Sequence, residues 1–243
     1  FINGLVYAEE VKLVPQIRSA PDSSVQYKIK TDKIQSYLKN LLIMSEDDYF
    51  ALPMIISPPL NAKGGRILVK DLNDDSHSIY AILEETKTYI DPETGENLGL
   101  AVVVVGKARI EKVGKESTLQ IISSSKGVEK GMRIVPQAEM SLPNEIEVKN
   151  PDRLVQGDII SFVDALREAG LYQAVVINRG EADGLQLGDV LDVVRYVESR
   201  FTSFDVEPKL EAQPRQVIGQ LVLYKTLGQL SVGLLIDTEV SVM

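Results

Sequence analysis

The residues with the best claim to chemistry are acidic. Asp71-Leu72-Asn73-Asp74-Asp75 has the Asp-x-Asn-x-Asp spacing of the first three ligand positions of a calcium loop. Such a loop takes hard oxygen ligands at alternating positions, a glycine at the sixth for its sharp turn and a bidentate Glu at the twelfth. Here Ser76 stands at the glycine position and Ile82 at the Glu position, so the run reads as a solvated hairpin turn. His77, the one histidine of the chain, lies beside it. A lone imidazole can act as a general base, but with no cysteine and no second histidine it has no partner for a nitrogen or sulfur metal cluster. It reads as a solvent-facing turn residue.

Asp91-Pro92-Glu93-Thr94-Gly95-Glu96 brings carboxylates together, yet each residue has a plainer use in a turn. Pro92 presets φ, Asp91 bonds back to the following backbone and Gly95 supplies a positive φ. Gly131-Met132, Gly157-Asp158 and Gly188-Asp189 recur before apolar runs and read as turn exits where glycine takes an awkward backbone angle. Neither GxGxxG nor GxxxxGK[ST] occurs, and Gly228-Gln229-Leu230-Ser231-Val232-Gly233 has the wrong spacing for a nucleophile elbow. A Ser-His-Asp triad would have to recruit His77. Two-carboxylate glycoside cleavage stays open, because the chain holds 35 acidic residues and sequence spacing cannot choose among them. No catalytic residue, cofactor site or metal ligand is assigned.

The elements that would carry these residues are mostly strands. Ser78–Leu83 and Leu98–Val105 flank the Asp91–Glu96 turn, and Leu119–Ile122 and Gly131–Pro136 follow. Ala101–Val105 is too apolar for a strand with one wet face and is expected to be covered on both sides. The stretch 1–30 reads as an extended linker with a strand or two, broken at Pro15 and Ala20–Ser24. Residues 32–42 read as a helix. Ile34, Tyr37, Leu38, Leu41 and Leu42 recur at three and four, Thr31 or Asp32 is the cap, and Ser45–Asp48 is the end.

The pattern then restarts. Ile159-Ile160-Ser161 echoes Ile55-Ile56-Ser57, and Tyr172–Ile177 echoes Arg66–Lys70. Gly188–Val194 echoes the run at 78–83, Ile218–Leu223 echoes Leu98–Val103, and Gln229–Ile236 echoes Ser117–Ile122. An internal repeat of this kind is one supersecondary unit built twice. The expected fold is mainly β: two related small antiparallel barrels or sandwiches plus one short N-terminal helix. The expected divisions are an N-terminal segment over 1–52, a first β domain over 53–140 and a second over 141–243. The second copy carries a long excursion, 196–216, in place of the tight Asp91–Glu96 turn. Long loops are often functional, and aromatic side chains are favoured anchors at interfaces. Phe201 and Phe204 are therefore the partner-contact candidates.

Bulk properties narrow the function. The 243 residues carry a net charge of −9 and 44% apolar content. That mixture supports a packed core, and the charge opposes binding to phosphate backbones or anionic membranes. No apolar run of about 18 residues marks a membrane span. The absence of cysteine is compatible with an oxidising compartment.

Three stretches also resemble a known group. They are Val11–Arg18, Tyr89-Ile90-Asp91-Pro92-Glu93-Thr94-Gly95-Glu96-Asn97-Leu98-Gly99, and Ala174–Leu191 with its Asn178-Arg179-Gly180-Glu181-Ala182-Asp183-Gly184 centre. Together they resemble the region downstream of the LysM module in exported LysM-domain proteins of Gram-negative bacteria. The DP-x-TG-x-x-LG turn also looks like the C-terminal barrel of flagellar assembly protein T. The resemblance implies a periplasmic or otherwise exported location and a non-enzymatic scaffold role. It also implies peptidoglycan contact through a LysM module lying before Phe1, with envelope proteins as possible partners. The module's sugar-binding residues have no counterpart in this chain. A peptidoglycan-cleaving carboxylate enzyme and a flagellar or secretion-apparatus scaffold are the competing expectations.

Overall fold

The computed structural model of the chain describes residues 16–19, 27–31, 41–59, 64–73, 76–140, 143–163, 170–196 and 215–238. In chain order the strands are β1 (Gln16–Ser19), β2 (Tyr27–Lys30), β3 (Leu41–Met44), β4 (Met54–Ser57), β5 (Arg66–Lys70), β6 (Ile79–Ile90), β7 (Asn97–Lys112), β8 (Glu116–Ser124), β9 (Arg133–Pro136), β10 (Glu145–Val148), β11 (Gln156–Phe162), β12 (Ala174–Ile177), β13 (Val190–Tyr196), β14 (Arg215–Leu227) and β15 (Leu230–Thr238). The described helix, α1, is Glu46–Ala51.

The fold is mainly β, as the alternating text implies, and forms two closed six-stranded antiparallel barrels. The first runs β4-β5-β8-β7-β6-β9 and returns to β4, with β3 added alongside β7. It closes through Met54 opposite Arg133 and the hydrogen bond from Ile55 N–H to the Met132 carbonyl at 2.8 Å. The second runs β11-β12-β15-β14-β13-β1 and returns to β11. Read around the rings, β4 matches β11, β5 matches β12, β8 matches β15, β7 matches β14 and β6 matches β13. All five sequence echoes therefore fall on equivalent staves. The sixth stave differs in origin: β9 closes the first barrel and β1, from the N-terminal segment, closes the second.

Each barrel has its own interior. Ile55, Ile67, Tyr80, Ile82, Leu119 and Ile134 fill the first, while Ile17, Val175, Leu191, Val193, Leu221 and Leu235 fill the second. Burying a large aliphatic side chain contributes roughly 1.5–3 kcal/mol, and ring closure pairs the edges of the barrel staves with one another.

Around the helix the structure corrects the sequence reading. Residues 32–40 lie outside the described residues, but Leu41 and Leu42 are in β3, opposite Val103 and Val102. A short apolar run has no periodicity that separates helix from strand, and pairing with β7 decides the matter. Ser45 begins a helix instead of ending one. Its side chain accepts the Asp48 N–H at 3.0 Å, and Glu46, Asp47 and Asp48 place negative charge on the first turn, where the helix dipole favours it. The Thr31 hydroxyl donates to the Pro143 carbonyl at 2.8 Å, so it fastens the chain to the inter-barrel connection. The strand-like Glu145–Val148 is β10, paired with β2 in a separate two-stranded sheet.

Candidate functional site

The residues singled out for chemistry are dispersed. Asp71 takes a left-handed φ of 66° and pairs with Lys70 at 3.6 Å. Asp74 and Asp75 lie outside the described residues. His77 is half-buried, with its Nδ1 2.9 Å from the Ser76 hydroxyl. Among the described residues no group of three or more His, Asp or Glu converges as a metal site would. Phe201 and Phe204 lie outside the described residues, so the structure places neither.

The turn at 91–96 has a defined role. Asp91 is buried, and its Oδ1 accepts the Glu93 N–H at 2.8 Å. Gly95 N–H donates to the Asp91 carbonyl at 2.9 Å with φ at 75°, and Asp91 N–H donates to the Glu96 carbonyl at 2.9 Å. These bonds fix the hairpin joining β6 to β7 and aim its tip at the second barrel.

There it meets the other distinctive stretch. Arg179 Nη2 lies 3.9 Å from a Glu93 carboxylate oxygen. Arg179 is held in place by donating to the Gln156 and Asn178 carbonyls, both at 2.7 Å. Beside this pair, Gly99 has a φ of 145°, and a Cβ there would sit 3.0 Å from the Met44 carbonyl and 3.3 Å from Leu227 Cδ2. The positive φ favours glycine there, and a Cβ would press on Leu227 at the β14–β15 turn by a few tenths of an ångström. Gly180 serves the same approach within the second barrel, since a Cβ would run into the Leu227 carbonyl oxygen and lie 2.6 Å from the Leu230 nitrogen.

Under the hairpin one apolar cluster spans both barrels. Ile43, Tyr89, Leu98 and Ala101 of the first pack with Ile146, Val148, Val176, Val222, Tyr224, Leu230 and Leu234 of the second half. β7 is thereby covered on both faces. Leu100 and Val102 face a cluster with Tyr49 and Leu83, and Ala101 faces the second barrel. The uninterrupted apolar run there is what a doubly covered strand requires.

At the rim of the seam Lys87 Nζ donates to the Ser161 hydroxyl at 3.1 Å and sits 5.1 Å from the Tyr89 ring centroid. Burial raises the phenol of Tyr89, against which a hydrogen bond with Ser161 acts. Burial also pushes up the phenol of Tyr224, and the nearby Tyr89 adds to the effect. Burial lowers the Lys225 ammonium.

Gly188 and Gly131 take positive φ values of 91° and 96°, in keeping with the turn-exit reading. Gly157 departs from it. It lies within β11, and a Cβ there would meet Arg179 Cγ at 2.6 Å and Asn178 Oδ1 at 2.8 Å. Close side-chain approach, not backbone angle, requires the glycine. Asp189 is buried and accepts the Gln186 N–H at 2.8 Å. Desolvation raises its carboxyl, opposed by that hydrogen bond and by the Lys149 charge.

A comparison with protein-family models and one with curated protein sequences both return no match.

A shallow, open depression of about 370 Å³ lies beside this region, lined by Glu181, Gly184, Leu185, Gln186, Leu187 and Thr226. Glu181 is the one carboxylate in its lining and accepts from the Thr226 hydroxyl at 3.1 Å. Two-acid glycoside cleavage uses a pair at about 5–9.5 Å, which this lining does not supply. The seam itself escaped the sequence reading. Its one legible sign was Ala101–Val105, which implied cover on both faces but not what supplied it.

Proposed function

We propose that this chain is a non-enzymatic structural module of the bacterial cell envelope, a two-barrel spacer that holds partners at a fixed separation beside peptidoglycan. One observation carries the reading: the two stretches with the most specific family resemblance, 89–99 and 174–191, meet across the seam through Glu93 and Arg179. Residues of this kind in an enzyme would converge on a cleft. Here they join two barrels, and the apolar cluster beneath them makes the pair one body. Exported LysM-domain proteins and flagellar assembly protein T supply the analogy for location and role. On that analogy wall affinity resides in a LysM module and not in these barrels.

The test uses purified sacculi. The chain alone is expected to stay in the supernatant on sedimentation and to release no muropeptides. Fusion to a LysM module should bring it into the pellet without changing the muropeptide profile. Release of soluble muropeptides by the chain alone would replace this reading with the carboxylate-enzyme one.

A further inference from the structure

The two barrels share one ring order, but one seat is filled from a different part of the chain. In the first barrel the seat between β4 and β6 belongs to β9, which follows β8 in sequence. In the second the equivalent seat, between β11 and β13, belongs to β1, and the whole first barrel separates β1 from β11.

β1 is paired on both of its edges. Gln16, Ile17 and Arg18 face Asp158, Gly157 and Gln156 of β11, and Gln16 to Ser19 face Val194 to Leu191 of β13. Ile17 is buried in the core of the second barrel, and Arg18 Nε lies 3.5 Å from the buried Asp192 carboxylate. No hairpin ties β1 to either neighbour, because the next described strand, β2, belongs to a separate sheet with β10. A stave whose described pairing is all non-local lacks a hairpin neighbour and is the part of a closed barrel that opens at least cost. Its departure would leave the edges of β11 and β13 unpaired, and such edges take up an extended strand of matching side chains.

We infer that β1 is an exchangeable stave and that the partner it exchanges with is a second copy of this chain. Gln16–Ser19 of each copy closes the second barrel of the other, giving a reciprocal two-fold dimer. The occupant follows from the seat, which takes a buried aliphatic residue followed by a cation opposite Asp192. A second copy presents those residues in the same register. Exchange creates no contact that the monomer lacks, so tethering favours the monomer in dilute solution and the dimer grows with concentration.

The chain contains no cysteine, so introduced thiols report the pairing without background. Arg18 and Gln156 are cross-strand partners, and Gln156 is exposed. Antiparallel partners lie within the Cα separation that a disulfide spans. Full-length Arg18→Cys and Gln156→Cys chains are mixed at two concentrations a factor of ten apart, held in sub-denaturing urea, returned to buffer and oxidised. A cross-linked heterodimer is expected, severalfold more abundant at the higher concentration. Arg18→Cys mixed with Lys112→Cys, an exposed position on the first barrel, gives the collisional background. Yield no higher than that background overturns the inference. The double variant in one chain should form an internal disulfide at every dilution, and its failure to do so in a folded protein also overturns it. Independently of any cysteine, wild type should show a concentration-dependent dimer by sedimentation velocity that Ile17→Asp abolishes. A wild type that stays monomeric, or a dimer that survives Ile17→Asp, sinks the idea.

Discussion

Replacing Leu230 by alanine tests whether the two barrels are one cooperative body. Leu230 is fully buried in the cluster that spans the seam, and its Cδ2 lies 3.6 Å from where a Gly99 Cβ would be. Truncation removes three buried carbons and leaves a cavity walled by both barrels. Lost transfer energy plus unrelaxed cavity gives a cost of about 3–4 kcal/mol. For a chain of this length that lowers Tm by about 6–16 °C. The control is Leu119→Ala, which opens a similar cavity in the interior of the first barrel alone. Differential scanning calorimetry reads both. If the seam couples the barrels, wild type unfolds in one endotherm, and each variant shifts that whole endotherm by a similar amount. Two endotherms, of which Leu119→Ala moves only one, would show that the barrels unfold separately and that the shared cluster does not bind them into a unit.

Two further outcomes follow from backbone and burial. Gly180→Ala forces a Cβ against the Leu227 carbonyl, whereas Gly127→Ala meets open space within 4 Å. The first should lower the urea midpoint by an amount corresponding to at least about 2 kcal/mol, and the second should stay within about 0.5 kcal/mol of wild type. Equal effects would show that the β14–β15 turn relaxes freely around position 180. The phenols of Tyr89 and Tyr224 are raised by burial. A folded value above the unfolded one contributes stability that is complete below about pH 10 and is lost as pH rises through the folded value. The urea midpoint of wild type should therefore fall between about pH 10 and pH 12, and Tyr224→Phe should fall less steeply. Parallel curves for the two would rule out Tyr224 as a contributor to the alkaline loss.

The sequence by itself determined the fold class, the Asp91–Glu96 hairpin and five of the six repeated staves. These rest on local facts: period-two patterning, turn residues whose backbone angles are intrinsic, and a unit written twice. β10 was legible for the same reason, as Glu145–Val148 alternates between turn signals. The end of the helix was misread because Leu41-Leu42-Ile43-Met44 is apolar without a period, and only the availability of the β7 edge makes it a strand. Ser45 was a capping signal in the text, assigned to the wrong end of a helix. Tertiary structure alone decided the rest. Nothing local states that Gln16–Ser19 belongs between β11 and β13, since the residues that select it lie beyond an entire barrel in sequence. Nor does any local pattern state that Glu93 meets Arg179, or that Gly99 and Ala101 face a second barrel. The first choice comes from the open edges of β11 and β13, which β1 closes, and the others from two curved surfaces excluding water from each other.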